Sequence, residues 1–118
     1  MGTQTVRGRD ELARALGVGM SEADLQREVI DEARRRGWKI VHFRPVKDAR
    51  TGRWRTAYTG DEGFPDLVLG RGGVSHHWEL KAEHGAFEPG QQEWVAALDG
   101  RVFRPADWAS GEIGELLR

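Results

Sequence analysis

Two apolar runs, Asp66-Leu67-Val68-Leu69 and Val74 to Ala82, flank Arg71-Gly72-Gly73, and this layout constrains the fold more than any other stretch of the chain. Branched and aromatic residues on either side of a glycine pair predict a hairpin. Side chains alternate across a strand with period two, so Glu79 and Lys81 project from one face while Trp78 and Leu80 project from the other. Asp66 opens the first run, thirteen residues before Glu79. If Asp66 begins the neighbouring strand, two carboxylates and one ammonium converge on one spot. Two carboxylates can hold a hard divalent cation through oxygen and leave positions for water and a phosphate oxygen. An adjacent lysine can orient or deprotonate an attacking water, the chemistry of phosphodiester hydrolysis. In a chain that is 31% charged, the same order also arises as a solvated strand face.

The rest of the chain bounds that chemistry. At 118 residues it makes one domain, able to bury about two thirds of its unfolded surface but without room for a second core. No apolar stretch approaches the roughly 20 residues needed to span a bilayer, and the N-terminus lacks the apolar core of a signal peptide. A soluble, cytoplasmic protein with no membrane partner is expected. Cysteine is absent, which excludes a disulfide framework, a thiolate nucleophile and a cysteine zinc site. The net charge is only -1, yet nine of the eighteen basic residues lie between Arg34 and Arg55 against a single acid, Asp48. From Gly60 onward eleven acids face five bases. A basic segment beside an acidic metal site would hold phosphates while the acids hold the cation. The competing reading is a solvated hairpin whose arginines only aid solubility.

Residues Met1 to Met20 predict a loosely attached arm, with the domain running from Ser21 to Arg118. Ser21 and Asp24 resemble a capping box, and Leu25, Val29, Ile30 and Ala33 recur at helical spacing up to Gly37, which predicts a helix from Glu22 to Arg36. Glu22 and Gln26 share a face beside the apolar stripe. Trp38 to Arg44 reads as a strand closed by Pro45, and Val46 to Gly63 as a long loop or irregular hairpin with Trp54 to Tyr58 as one arm. Pro89 introduces a helix from Gln91 to Leu98 with Trp94, Val95 and Leu98 as its stripe and Gly100 as its stop. Arg101 to Arg104 reads as a short strand, and Ser110 as the cap of a last helix through Leu117. Such alternation predicts an α/β domain with a mixed sheet flanked by helices.

Four blocks in this order resemble the VRR-NUC domain, the virus-type replication-repair nuclease of the PD-(D/E)XK superfamily: Ser21-Glu22-Ala23-Asp24-Leu25-Gln26, Gly60 to Leu67, Glu79-Leu80-Lys81 and Pro89-Gly90-Gln91. The resemblance covers Ser21 to about Trp108, and Arg104-Pro105-Ala106-Asp107-Trp108 resembles actinobacterial and phage-encoded members. It implies a restriction-endonuclease-like fold and a DNA endonuclease that uses Mg²⁺ or Mn²⁺. Asp66 and Glu79 match the metal-binding carboxylates, and Lys81 matches the lysine that positions or activates water. Glu22 matches the acid of the first helix, which completes the metal shell directly or through water. Gln91 matches the glutamine close to the catalytic centre. The main-chain carbonyl of Leu80, between Glu79 and Lys81, is a further candidate ligand. Glu88 departs from the family pattern, which often has a Ser there as helix cap.

The resemblance implies flaps, branched DNA or junctions as substrates, cut in a bacterial or phage-infected cell with or without a helicase or other replication-repair partner. A small stand-alone domain would engage a two-fold-symmetric junction most simply as a homodimer. For phosphate contact the candidates are His42, Arg44, Lys47, Arg50, Arg53 and Arg55. Trp54 and Tyr58 either stack on splayed bases or anchor the long loop. Trp38, Trp78, Trp94 and Trp108 are assigned to the core. His76 and His77 point to opposite faces of one strand, which argues against zinc. Three other readings stay open: a sequence-specific or exonucleolytic enzyme, an RNA-directed one, and a catalytically silent binding module.

Overall fold

Ser21 and Asp24 close the expected capping box: the Asp24 amide donates to Ser21 Oγ at 3.0 Å, and the Ser21 amide donates to Asp24 Oδ2 at 3.1 Å. They start helix α1, Glu22–Arg35, whose Leu25, Val29 and Ala33 are buried and whose Arg36 is the C-cap. The computed structural model describes residues 19–43, 46–55 and 59–118. Arg44 and Tyr58, the side chain of Arg55 and most of the expected N-terminal arm lie outside the described residues. Met20, placed in that arm by the sequence, is buried in the core instead.

After α1 come β1 (Lys39–His42), a small hairpin of β2 (Val46–Lys47) and β3 (Trp54–Arg55), then β4 (Leu67–Arg71), β5 (Val74–Leu80), helix α2 (Gln91–Leu98), β6 (Arg101–Phe103), and helices α3 (Pro105–Ala109) and α4 (Glu112–Leu116). The main sheet has the order β1-β4-β5-β6. Its first two pairings are antiparallel, while β5 and β6 run parallel. That parallel pair is joined by a crossover carrying α2, as parallel neighbours require. The chain is therefore α/β with a mixed sheet flanked by helices.

The core lies on one face of the sheet. Leu67, Leu69, Trp78, Leu80 and Phe103 meet Leu25, Val29 and Ala33 of α1 and Ile113 and Leu117 at the C-terminal end. Buried Trp38 ties the two ends of the domain together, its Nε1 donating to the Leu117 carbonyl at 2.9 Å. Arg71 lies over the Trp38 ring, 4.2 Å from its centroid, and donates to the Arg36 carbonyl at 2.7 Å. Trp78 joins Trp38 in the core, and Trp108 packs against it. Trp94 does not: it stands on the opposite face, edge-to-face with Phe64, because α2 buries no residue fully.

Three boundaries depart from the sequence reading. Asp66 is not in the strand; it sits one residue ahead of β4. The short helix α3 is unforeseen: Pro105 occupies its first turn and the Asp107 carboxylate accepts the Arg104 amide at 2.7 Å, a start signal compressed into four residues. Ser110 therefore ends α3 rather than capping the last helix, whose N-cap is Gly111 at φ 87°.

Candidate active site

The site opens at the end of the sheet where β4 begins and β5 ends. Asp66 is held there by a main-chain bond, its Oδ2 accepting the Leu80 amide at 3.2 Å. Glu79 is 1% exposed and Lys81 6%, so neither stands on a solvated strand face and both are inside the protein. Lys81 Nζ stands 3.8 Å from Glu79 Oε2. That same oxygen accepts Gln91 Nε2 at 3.1 Å, while Gln91 Oε1 accepts the Glu88 amide at 2.7 Å. Gln91 thus ties the carboxylate to the start of α2. The N-cap of α2 is Gly90, with no side-chain cap, rather than Glu88, and the Gln91 side chain reaches back to satisfy the Glu88 amide.

Two glycines set the approach of the elements. A Cβ at Gly63 would lie 2.4 Å from the Gly90 carbonyl carbon and 2.6 Å from the Gln91 nitrogen, and one at Gly90 would lie 2.2 Å from the Glu62 carbonyl oxygen. Both glycines also have positive φ, 96° and 84°. The Gly63-Phe64-Pro65-Asp66 segment therefore rests directly on the backbone that launches Gln91, and any larger residue would push the two apart.

Electrostatics mark the centre as strained. Burial, followed by the charge of Asp66, pushes the Glu79 carboxyl up from its ordinary 4.5 to about 8, and the nearby Lys81 only partly opposes this. Burial likewise raises Asp66, against hydrogen bonding to the Leu80 amide. Glu22 is raised too, by burial first and then by the charge of Asp66, with Lys81 and His42 lowering it. Glu22 and His42 thus reach the electrostatic field of the site from the α1 side of the sheet, and Gln91 reaches it from the other. Among the described residues, Glu79 Oε1 and Trp78 Nε1 are the buried side-chain atoms with no hydrogen-bond partner.

This donor set fits a hard divalent cation. Glu79 Oε1 is a buried acceptor lacking any donor, and Asp66 brings a second carboxylate beside it. The β4–β5 register pairs Leu67 with Trp78, so two further steps set Leu80 opposite Pro65. A proline nitrogen has no proton to give, which leaves the Leu80 carbonyl free of that strand. The set is sparse: among the described residues no three His, Cys, Asp or Glu side chains cluster as a ready cage.

The basic residues divide. Lys47, Arg50 and Arg53 are exposed on the β2–β3 hairpin, whose turn is held by Asp48 Oδ1 accepting the Arg50 amide at 2.8 Å. Arg34 to Arg36 lie at the opposite end of α1 from Glu22, roughly 20 Å away at 1.5 Å rise per residue. Arg35 and Arg36 both pair with Glu32 and line an open basin of about 410 Å³ with Arg71 and Arg118, remote from the carboxylates. Trp54 is 68% exposed, the most exposed large hydrophobic residue described. His76 is stacked between Trp38 and Trp78, and burial lowers its imidazole, whereas His77 turns to Phe64 on the other face. Neither histidine is placed for zinc.

Two features escape the sequence reading. The Gly63–Gly90 contact is invisible in spacing, although both glycines adjoin the motif residues. Phe43, Phe64 and Trp94 form an edge-to-face series beside the carboxylates, with centroids 5.5 and 5.0 Å apart. Compared with known proteins, the chain matches no family model, no curated protein and no solved structure.

Proposed function

We propose that this chain is a cytoplasmic metal-dependent deoxyribonuclease, an endonuclease of restriction-endonuclease-like architecture related to the VRR-NUC domains. One observation carries the reading: Glu79 is buried with an unpartnered oxygen beside a second carboxylate and a buried lysine. A protein that needed only stability would replace such a set with apolar residues, because buried like charges oppose folding.

Asp66, Glu79 and the Leu80 carbonyl would hold Mg²⁺ or Mn²⁺, with Glu22 joining through water. When bound, the ion supplies Lewis-acid polarisation of the phosphoryl oxygen and charge for the transition state. The protein's own groups do the positioning. Gln91 fixes the rotation of the Glu79 carboxylate and so decides which oxygen faces the open side. Lys81, confined by burial, aims its ammonium at the attacking water or the phosphoryl oxygen beside it. His42 and the exposed Lys47, Arg50 and Arg53 hold flanking phosphates, together with Arg44 and Arg55. Among the described residues no base-reading element accompanies the site, so substrate choice follows DNA structure, with flaps, branches or junctions as the targets and a homodimer as the form that cuts a symmetric junction. A helicase or replication-repair protein would bring the domain to such substrates.

Cleavage of plasmid, flap and four-way-junction DNA with Mg²⁺ or Mn²⁺ tests this directly. Asp66→Ala and Lys81→Ala should each lower the rate at least about a hundredfold with binding retained. Wild-type protein that binds DNA and never cuts it with either ion sinks the enzyme reading.

A further inference from the structure

We infer that the open face of β1 and β4 beside the carboxylates binds an unpaired stretch of the strand being cut, with bases stacked on Phe43 and Phe64. This rests on the nuclease reading above and adds its substrate class: DNA that is single-stranded next to the scissile bond.

Strand register lays out the surface. The Phe43 amide donates to the Asp66 carbonyl at 2.9 Å, which sets Phe43, Asp66 and Glu79 in one row across the sheet. The next row on the same face is Val41, Val68 and His77, and the next is Lys39, Gly70 and Ser75. Successive rows are two residues apart, about 6.8 Å. A strand leaving the carboxylates along β1 therefore meets an aromatic ring, then an aliphatic floor, then a cation.

Among the described residues, no flanking helix is placed to cover that path. Helices α1, α3 and α4 serve the core face, and α2 packs beside β5. Val41 is 46% exposed, Phe43 41% and Phe64 38%. A lone exposed hydrophobe is ordinary, but a contiguous set adjoining a reactive centre marks a binding surface.

The rings are also held in place. Phe64 meets Phe43 and Trp94 edge to face, and Trp94 Nε1 donates to the Asp61 carbonyl at 3.2 Å. Behind Phe64 the chain is fixed by the Gly63 contact with Gly90. Stacking on rings already positioned loses little conformational entropy. Charge favours a polyanion: Lys39 stands exposed at the outer end and the buried Lys81 lies at the inner end, with no acid in the two rows beyond the carboxylates. Gly70 projects no side chain, so the floor beside Lys39 is bare. Aromatic platforms with flanking cations are the means by which proteins hold single strands regardless of sequence. A duplex keeps its bases paired and offers no base face to these rings.

Anisotropy of a labelled oligothymidylate, measured in EDTA so that cutting plays no part, tests the surface with the full chain. Phe43→Leu keeps an apolar side chain but removes the ring, and should weaken binding about tenfold; Phe43→Tyr should restore it. Lys39→Ala should lower the salt slope by about 0.7. Equal affinity for wild type and Phe43→Leu overturns the inference. So does loss of self-association by light scattering with oligothymidylate binding unchanged, since a second copy of the chain is then the occupant. Cleavage with Mn²⁺ separates the two proposals. Wild type that binds oligothymidylate in a ring-dependent way yet cuts neither flap nor duplex removes the nuclease reading and keeps the surface. Wild type that cuts flap and duplex equally, with Phe43→Leu indistinguishable, removes the surface and keeps the nuclease.

Discussion

Replacing Glu79 by glutamine should make the metal-free protein more stable, and only above the ordinary carboxylate range. In the folded chain the Glu79 carboxyl is pushed up to about 8 by burial and by the charge of Asp66. A group whose folded value is raised favours the native state most while it is protonated in both states. That advantage is complete below about 4.5 and is lost as pH rises through about 8. At about 1.4 kcal/mol per pH unit, the loss between pH 5 and pH 8 is bounded at a few kcal/mol, of which about 2–3 kcal/mol is expected to be seen. Glutamine carries no charge to desolvate. Its amide oxygen can still accept Gln91 Nε2, and its NH₂ can donate to Asp66.

Urea unfolding followed by tryptophan fluorescence in EDTA, at pH 5 and pH 8, measures this. The two proteins should agree within about 0.5 kcal/mol at pH 5, with Glu79→Gln ahead by about 2–3 kcal/mol at pH 8. Added Mn²⁺ should then close the gap: at a hundredfold excess over Kd it stabilises the wild type by about 2.7 kcal/mol and leaves the variant nearly unmoved. A difference that is flat with pH, or a variant less stable at pH 8, would refute the idea that two ionised carboxylates are forced together here.

Two further substitutions probe the supports. Gly63→Ala should cost about 2–3 kcal/mol, because it combines a positive φ with a methyl 2.4 Å from the Gly90 backbone, and it should cut DNA cleavage beyond that by displacing Gln91; unaltered stability in urea would show the contact to be loose. Ser21→Ala should lower stability by about 1 kcal/mol through loss of the N-cap, read as a fall in the urea midpoint with the slope unchanged.

How far each feature was legible in the sequence depends on the range over which its cause acts. Period-two alternation is local, so it separated Trp78 and Leu80, which lie in the core, from Glu79, which meets Gln91 on the other face. The α1 cap lies within four residues and was equally readable. Charge counted along the chain, by contrast, carries no distance: Arg34 to Arg36 are close to Lys39 in sequence, but the helix carries them roughly 20 Å from Glu22. Trp94 follows a helical stripe that reads as core, yet α2 rests on a face that is only half covered. Helix α3 is too short for any periodicity, and its start signal overlaps the end of β6. The Gly63–Gly90 approach joins segments 27 residues apart, and a glycine does not announce what packs against it.

The candidate site was legible for the opposite reason to the core. Core positions agree with every local rule, so many sequences would serve. Glu79 breaks a rule, setting an acid at a buried strand position that calls for an apolar side chain, and buried Lys81 and half-buried Asp66 flank it just outside the strands. Gln91 and the Leu80 amide limit the resulting strain without removing it, since one Glu79 oxygen is left with no donor among the described residues. Hydrogen bonds that fully satisfied the pair would make it a structural network. On the proposed nuclease reading, partial satisfaction leaves it able to take a cation, and this is why stability at alkaline pH and function should move in opposite directions when Glu79 is changed.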